Sequence, residues 1–286
     1  MFNFKRQARL QVFASMAPLL LGFACTAKAQ DMLSQTFIKQ GDETLTVNLG
    51  GILNQFGTSI KLNGPGLDGS NIDLEGNGLK KTQSSFDVGG TWRFWSRNRI
   101  DVLYFSTSRS GSKTINQDLN IDGVVVPINS TLSANSKDQF LALDYRYSFI
   151  KTDSVELAGL LGLYGGQYKY RLSATHALSA GGQSSLLDVT ASTTVPLPLI
   201  GGTVDWYINP QWKMSANVSG IKAHIGSVDG SAFLGGINTE YMLVRNFGVG
   251  LGYLYSNINA DVTKNSFNGN LSSKMNTVSL YGQFKF

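Results

Sequence analysis

Met275–Phe286 reads MNTVSLYGQFKF, and apolar and polar residues alternate to the final Phe. Val278, Leu280, Gly282, Phe284 and Phe286 share one face; Thr277, Ser279, Tyr281, Gln283 and Lys285 share the other. Soluble domains ordinarily end in a frayed polar tail. A period of two carried to the last side chain implies a paired strand whose partner is the first strand of a closed sheet.

The opposite end points to export. Lys5, Arg6 and Arg9 precede an apolar stretch from Leu10 to Cys25, and Ala27 and Ala29 supply the small residues of a cleavage site. That layout is a secretory signal peptide, expected over residues 1–29, which leaves residues 30–286 as one domain. Gly22 stands three before Cys25, where a lipoprotein signal carries an aliphatic residue, so lipidation is not expected. Lys5, Arg6, Arg9 and Lys28 leave with the signal; taking those four from 24 basic residues leaves 20 against 19 acidic. A nucleic-acid partner is therefore not expected. The single Cys also leaves, so disulfides and a thiol nucleophile are excluded.

The exported part has no apolar run of about 18 residues, which excludes a transmembrane helix. It has repeated alternation instead. Leu45, Val47, Leu49 and Leu53 mark a first strand, and Phe86, Val88, Trp92 and Phe94 a second. Similar stripes follow from Ile100, Leu141, Val155, Ile200, Trp212, Phe233, Phe247 and Val278, making about ten. Short connections fall at Ser96–Asn98, Ile150–Ser154, Asn209–Gln211 and Arg245–Asn246. Between them lie long segments read as loops, such as Gly57–Thr82 and Ser173–Pro198, with Gly226–Gly230 a short exception. Within Ser108–Lys137, Asp122-Gly123 predicts a two-residue hairpin turn and a ribbon prolonging its flanking strands.

This predicts an all-β, transmembrane, up-and-down antiparallel barrel with short periplasmic turns and long extracellular loops. Phe94, Trp95, Phe149, Trp206, Trp212, Phe247, Phe284 and Phe286 gather near the short turns as an interfacial girdle; Phe86, Tyr104, Phe233 and Tyr253 mark the other interface.

With that pattern the chain resembles the bacterial outer-membrane β-barrel proteins, whose last strand ends in Phe after alternating apolar residues. Val278, Leu280, Phe284 and Phe286 carry the resemblance, which implies recognition by the barrel-assembly machinery. Gly69–Leu79 (GSNIDLEGNGL) and the stretch from Trp92 to Ser112 also resemble segments of a loose family of small proteobacterial barrels. The implied surroundings are outer-membrane lipid and lipopolysaccharide.

On this register Asp87, Arg93, Arg99, Asp101, Asp144, Arg146, Glu156, Asp205, Lys213, Glu240 and Lys285 point into the lumen. Charges in so narrow a sheath must pair, so a salt-bridged, largely plugged interior is expected, with Tyr164, Tyr168 and Tyr281 adding bulk. The alternative is a narrow porin-like pore for small solutes. A rim hydrolase is the third reading, because ten strands is also the count of the omptin proteases. Neither His176 nor His224 has an Asp two residues before it, as an omptin-type pair needs. Ser179 and Ser227 each follow a His by three, so the His-x-Ser pair of lipid A deacylases is absent too. A His–Ser contact across strands stays open, but no catalytic residue is assigned. Asp68, Asp73 and Glu75 group among glycines as a weak Ca²⁺ candidate; no cofactor or metal site is assigned. Lys80, Lys81, Arg109 and Lys113 are placed at the outer rim, within reach of lipopolysaccharide phosphates.

Overall fold

A computed structural model describes residues 37–64, 68–177, 183–264 and 267–286. The expected signal peptide lies outside them. Thirteen strands follow one another: β1 Leu45–Leu62, β2 Asn71–Asp73, β3 Thr82–Trp95, β4 Asn98–Thr114, β5 Leu119–Ile121, β6 Val124–Val126, β7 Thr131–Lys151, β8 Val155–Ala177, β9 Gln183–Tyr207, β10 Trp212–Ile225, β11 Val228–Val244, β12 Phe247–Lys264 and β13 Phe267–Lys285. All but β2, β5 and β6 are long, and these ten pair antiparallel in chain order. β13 returns to β1 from Thr46↔Lys285 to Leu62↔Gly269, closing the ring. Phe286 seals the seam: its N–H donates to Leu45 O at 2.8 Å, and Thr44 N–H donates to its carbonyl at 2.7 Å.

The ten long strands run 14 to 25 residues, beyond the ~9–11 that a tilted membrane strand needs. The excess obeys an inverted rule. In β1 the even residues face inward throughout, but they change from Thr46, Asn48 and Gly50 to Phe56, Ile60 and Leu62. The outward residues change in the opposite sense, from Leu45, Val47 and Leu49 to Gln55, Ser59 and Lys61. β8 makes the same exchange: Glu156 faces inward at one end and Tyr168, Tyr170 and Leu172 at the other, with Leu161 and Leu163 outside giving way to Lys169 and Arg171. Near the short turns the wall is apolar outside and polar inside, as lipid demands. At the far end water lies outside, and the apolar residues turn into a core. Phe86, 80% exposed, and Leu280, 61% exposed, show how bare the lipid-facing band is.

This inversion corrects the expected loops. Of Ser173–Pro198, residues 173–177 and 183–198 are strand: β8 and β9 pair from Val155↔Trp206 to Ala177↔Gln183 with one irregularity. Much of Gly57–Thr82 is also ordered, since β1 continues to Leu62 and β2 folds back on Ser59–Lys61. The prolines of β9 fit an edge. Tyr207 N–H bonds to Ser154 O and Ile208 N–H to Trp212 O, so odd residues address β8 and even ones β10. β10 pairs with β9 only from Ile200 to Tyr207. Pro196 and Pro198 thus lack their N–H on a side with no ladder among the described residues.

The connections β3–β4, β7–β8, β9–β10 and β11–β12 are short, as expected, and Gly226-Ser227 joins β10 to β11. The predicted ribbon is present, with β4 and β7 paired out to Thr114↔Thr131. Its Asp122-Gly123 turn has φ of +52° and +80°, as a primed hairpin turn requires. The tip does not stand free, however, although Asp122, Val124 and Val125 stay exposed. β5–β6 folds inward, where Ile121 and Val126 are buried, Asp122 N–H donates to Leu62 O and Ser70 N–H to Asn120 O.

Candidate functional site: the barrel lumen

Arg93, Arg99, Asp101, Asp144, Arg146, Glu156, Asp205, Lys213, Glu240 and Lys285 lie on the buried or half-buried faces of their strands, where ion pairs link them. Lowest, toward the short turns, Arg93 on β3 donates from Nη1 and Nη2 to the two Glu156 oxygens at 2.9 and 3.0 Å. Tyr207 O–H donates to Glu156 Oε2 at 2.6 Å, and Ser148 Oγ to Oε1. Beside them Arg99 Nη2 meets Asp205 at 2.7 Å and its Nη1 lies 3.8 Å from Glu156. Arg146 Nε lies 2.7 Å from Asp101 and its Nη2 3.7 Å from Asp144. On the facing wall Glu240 lies 2.9 Å from Lys213 Nζ and 3.4 Å from Lys285 Nζ. Asp87 joins no ion pair among the described residues; one of its oxygens rests over Gly50.

Glycines make this packing possible. A Cβ on Gly250 would come within 2.2 Å of the Tyr281 ring, and one on Gly162 within 2.2 Å of Asp144 Oδ1. Gly250↔Tyr281 and Asp144↔Gly162 are direct cross-strand pairs. Each glycine leaves a socket for the large side chain opposite it. Among these side chains lies a cavity of about 270 Å³, bordered by Asp87, Asp101, Asp144, Arg146, Asn238 and Tyr281.

Two groups of contacts were not legible in the sequence. At the short-turn end, residues 37–44 form a strap. Gln40 Nε2 donates to Pro210 O at 3.2 Å, and Lys285 Nζ donates to Gln40 Oε1 at 2.6 Å. Lys151 Nζ donates to Gly41 O at 2.8 Å, Lys39 Nζ to Asp153 at 2.7 Å. Glu43 is buried 3.8 Å from Lys285 Nζ. The segment lacks alternation, so no stripe marks it in the sequence.

At the outer end, Ile72, Leu74 and Leu79 join Leu119, Ile121 and Val126 in one buried apolar core with Leu62, Leu132, Leu172 and Leu197 of the wall. Arg109 fastens it. This residue was placed at the rim and is in fact 3% exposed, with Nη1 2.5 Å from Glu75, Nη2 3.4 Å from Asp138 and 3.2 Å from Thr58, and its guanidinium 3.9 Å from the Phe56 ring centre. Inward orientation on β4 and the pull of two carboxylates account for the correction. Lys80, Lys81 and Lys113 do remain exposed. The three acids read as a Ca²⁺ candidate serve separate purposes: Glu75 holds Arg109, Asp73 Oδ1 accepts from Gly76 N–H, and Asp68 lies 3.4 Å from Lys61.

The histidines are apart from the lumen charges. His176 Nδ1 lies 3.0 Å from Ser130 Oγ, a cross-strand contact of the kind left open above, but Ser130 is wholly buried. His224 Nδ1 meets Asp229 at 2.7 Å on the exposed β10–β11 hairpin. The C-terminal residues Val278, Leu280, Phe284 and Phe286 all face outward, and the Phe284 ring lies 5.0 Å from that of Phe247.

No protein-family model matches the chain, and no curated protein matches it in sequence. Solved structures do. The crystal structure of the outer membrane protease OmpT from Escherichia coli aligns at a TM-score of 0.59 and 10% identity, over 88% of this chain and 99% of that one. OprG from Pseudomonas aeruginosa gives 0.35 and 12%, over 87% and 99%. Ail of Yersinia pestis gives 0.30 and 11%, over 85% and 99%. Scores that low add no argument, and the likeness to OmpT speaks to architecture alone. On the closed sheet, the lipid-facing band and that likeness together, the chain has the fold of an outer-membrane β-barrel.

Proposed function

We propose that the protein is an integral outer-membrane barrel, exported through removal of residues 1–29, whose lumen is closed and whose role lies in its outer surface. One observation carries this reading: the lumen is occupied at both ends by different chemistry. Glu156 and Arg93 stand as a buried pair toward the periplasmic turns, and Ile72, Leu74, Ile121 and Val126 form an apolar core at the outer mouth. Neither arrangement resembles a water-filled pore. The outward polar faces of β7, β8 and β9 are the surface such a protein offers to structural or binding partners. Lys80, Lys81 and Lys113 suit lipopolysaccharide phosphates at the rim, and the outward face of β13 suits the barrel-assembly machinery. The role is not catalytic in this reading, since Ser130 has no access to a substrate.

Single-channel recording of purified protein in planar bilayers tests the closed lumen. No steady conductance steps are expected. Reproducible steps would replace this reading with a narrow passage for small solutes, which the 270 Å³ cavity favours.

A further inference from the structure

We infer that the strap over residues 37–44 is a gate on the lumen cavity, and that small cations are what it admits from the short-turn side. The inference rests on the closed-lumen reading and says which end opens. In the ring, β8 and β9 lie four and five strands from β1, on the opposite wall. Yet Lys39, Gln40 and Gly41, a few residues before β1, bond to Asp153, Pro210 and Lys151 at the turns of that far wall. The strap therefore crosses the mouth.

Its fastenings are separate side-chain contacts rather than a ladder: Lys39 to Asp153, Gln40 to Pro210 and Lys285, and Gly41 and Asp42 to Lys151. The Lys39–Asp153 contact is 59% and 88% exposed, the kind of pair that contributes little. Gly41 has φ of +87°, a conformation that suits glycine and makes a ready pivot. The wall is a continuous hydrogen-bonded ladder. Segments with few bonds open far more readily than such ladders, so the strap can lift while the barrel stays intact. The outer core is held differently, by Arg109 buried between two carboxylates and by apolar side chains packed into the wall.

The cavity beneath sets the charge preference. Six carboxylates and three basic side chains border it, Asp87 without an ion-pair partner among the described residues. A narrow chamber lined mainly by one sign of charge concentrates the opposite ion.

The test places one thiol inside. Cys25 is the only natural Cys and leaves with the signal, so Ser279→Cys, on the cavity wall, is unique in the exported chain. Thiol-reactive methanethiosulfonates carrying a trimethylammonium or a sulfonate group report entry in detergent-solubilised barrel. Labelling of S279C should be at least about tenfold slower than at an exposed Ser154→Cys control. Adding K39A/Q40A should speed it about tenfold, roughly the effect of 1.4 kcal/mol of lost fastening, with the cationic reagent ahead of the anionic one. K39A alone, at an exposed site that cannot unfold the barrel, should speed it up to about fivefold. Fast labelling with the strap intact, no acceleration in either variant, or acceleration by Arg109→Ala in their place would overturn the gate. Equal rates for both reagents would overturn the cation preference. Bilayer conductance of the unaltered protein speaks to the closed lumen alone, so the two failures are distinguishable.

Discussion

Glu156 and Arg93 form a bidentate ion pair across the lumen although three strand-to-strand steps separate β8 from β3. Glu156 is wholly buried and also accepts from Tyr207 and Ser148. Taking two charges from water costs several kcal/mol each, and the pair offsets that only while both are present. Arg93→Ala should therefore destabilise the barrel by about 3–5 kcal/mol. Glu156→Gln should cost less, because a neutral amide still accepts from Tyr207. The R93M/E156L double variant should recover most of the loss. Urea unfolding in lipid vesicles measures all three, and a double variant as weak as R93A would refute the reasoning.

Arg109 makes a parallel case at the outer end. Arg109→Ala would leave Glu75 and Asp138 buried without their cation. We expect the segment from Leu74 to Leu79 to leave the core before the wall unfolds, since its side-chain hold on β4 would fall to the exposed Lys113 contact with Gly76 O. Limited proteolysis should cut there in R109A and not in the parent, while the folded form on unheated gels stays intact.

The glycine sockets give a steric prediction. Gly250→Ala puts a methyl where the Tyr281 ring now lies, and forced repacking of that kind costs about 1–3 kcal/mol. Adding Tyr281→Ala should return more stability than Y281A removes from the parent. A simple sum of the two single effects would show that they do not share a socket.

Much of this molecule was legible in the sequence for one reason: lipid fixes the sign of the alternation. Wherever apolar residues had to face outward, the stripe gave the strand, its register and the inward charges together, from Leu49 to Glu156 and Lys285. Past Gln55 on β1 or Gln167 on β8 the period continues but polarity reverses, and segments such as Ser173–Pro198 then look like polar loops. Pro196 and Pro198 are tolerated there because their missing N–H faces a side with no ladder among the described residues. The strap was illegible for another reason. Eight residues without periodicity acquire their role from turns more than a hundred positions away, at Lys151, Asp153 and Pro210.

Beyond the membrane band, Arg171 and Asp188 offer a pH probe. Arg171 donates from Nε and Nη2 to the two Asp188 oxygens at 2.8 and 2.6 Å, across the β8–β9 hairpin. Those hydrogen bonds hold the Asp188 carboxyl below its ordinary value. A carboxylate lowered by folding stabilises the hairpin above the unfolded-state value and loses that support as pH falls through the folded one. Both side chains are exposed, so solvent screens the effect. Amide exchange across the hairpin should quicken modestly only under acid conditions below the usual aspartate range. Asp188→Asn should remove that pH dependence; a response near neutrality would point to another group.

Removal of Phe286 should damage the barrel more than loss of one exposed ring suggests. Its side chain meets lipid, yet its backbone makes the closing bonds of the seam with Thr44 and Leu45. Without those bonds the first and last strands lose their terminal pairing, so the seam would fray from the short-turn end. It would also free Lys285, which bonds Gln40 and neighbours Glu240 and Glu43. Phe286→Ala keeps every backbone bond and loses only the ring. If closure is what matters, F286A refolds in vesicles close to the parent level and the deletion does not. If both refold alike in vitro but accumulate poorly in cells, the ring matters to the assembly machinery rather than to the fold.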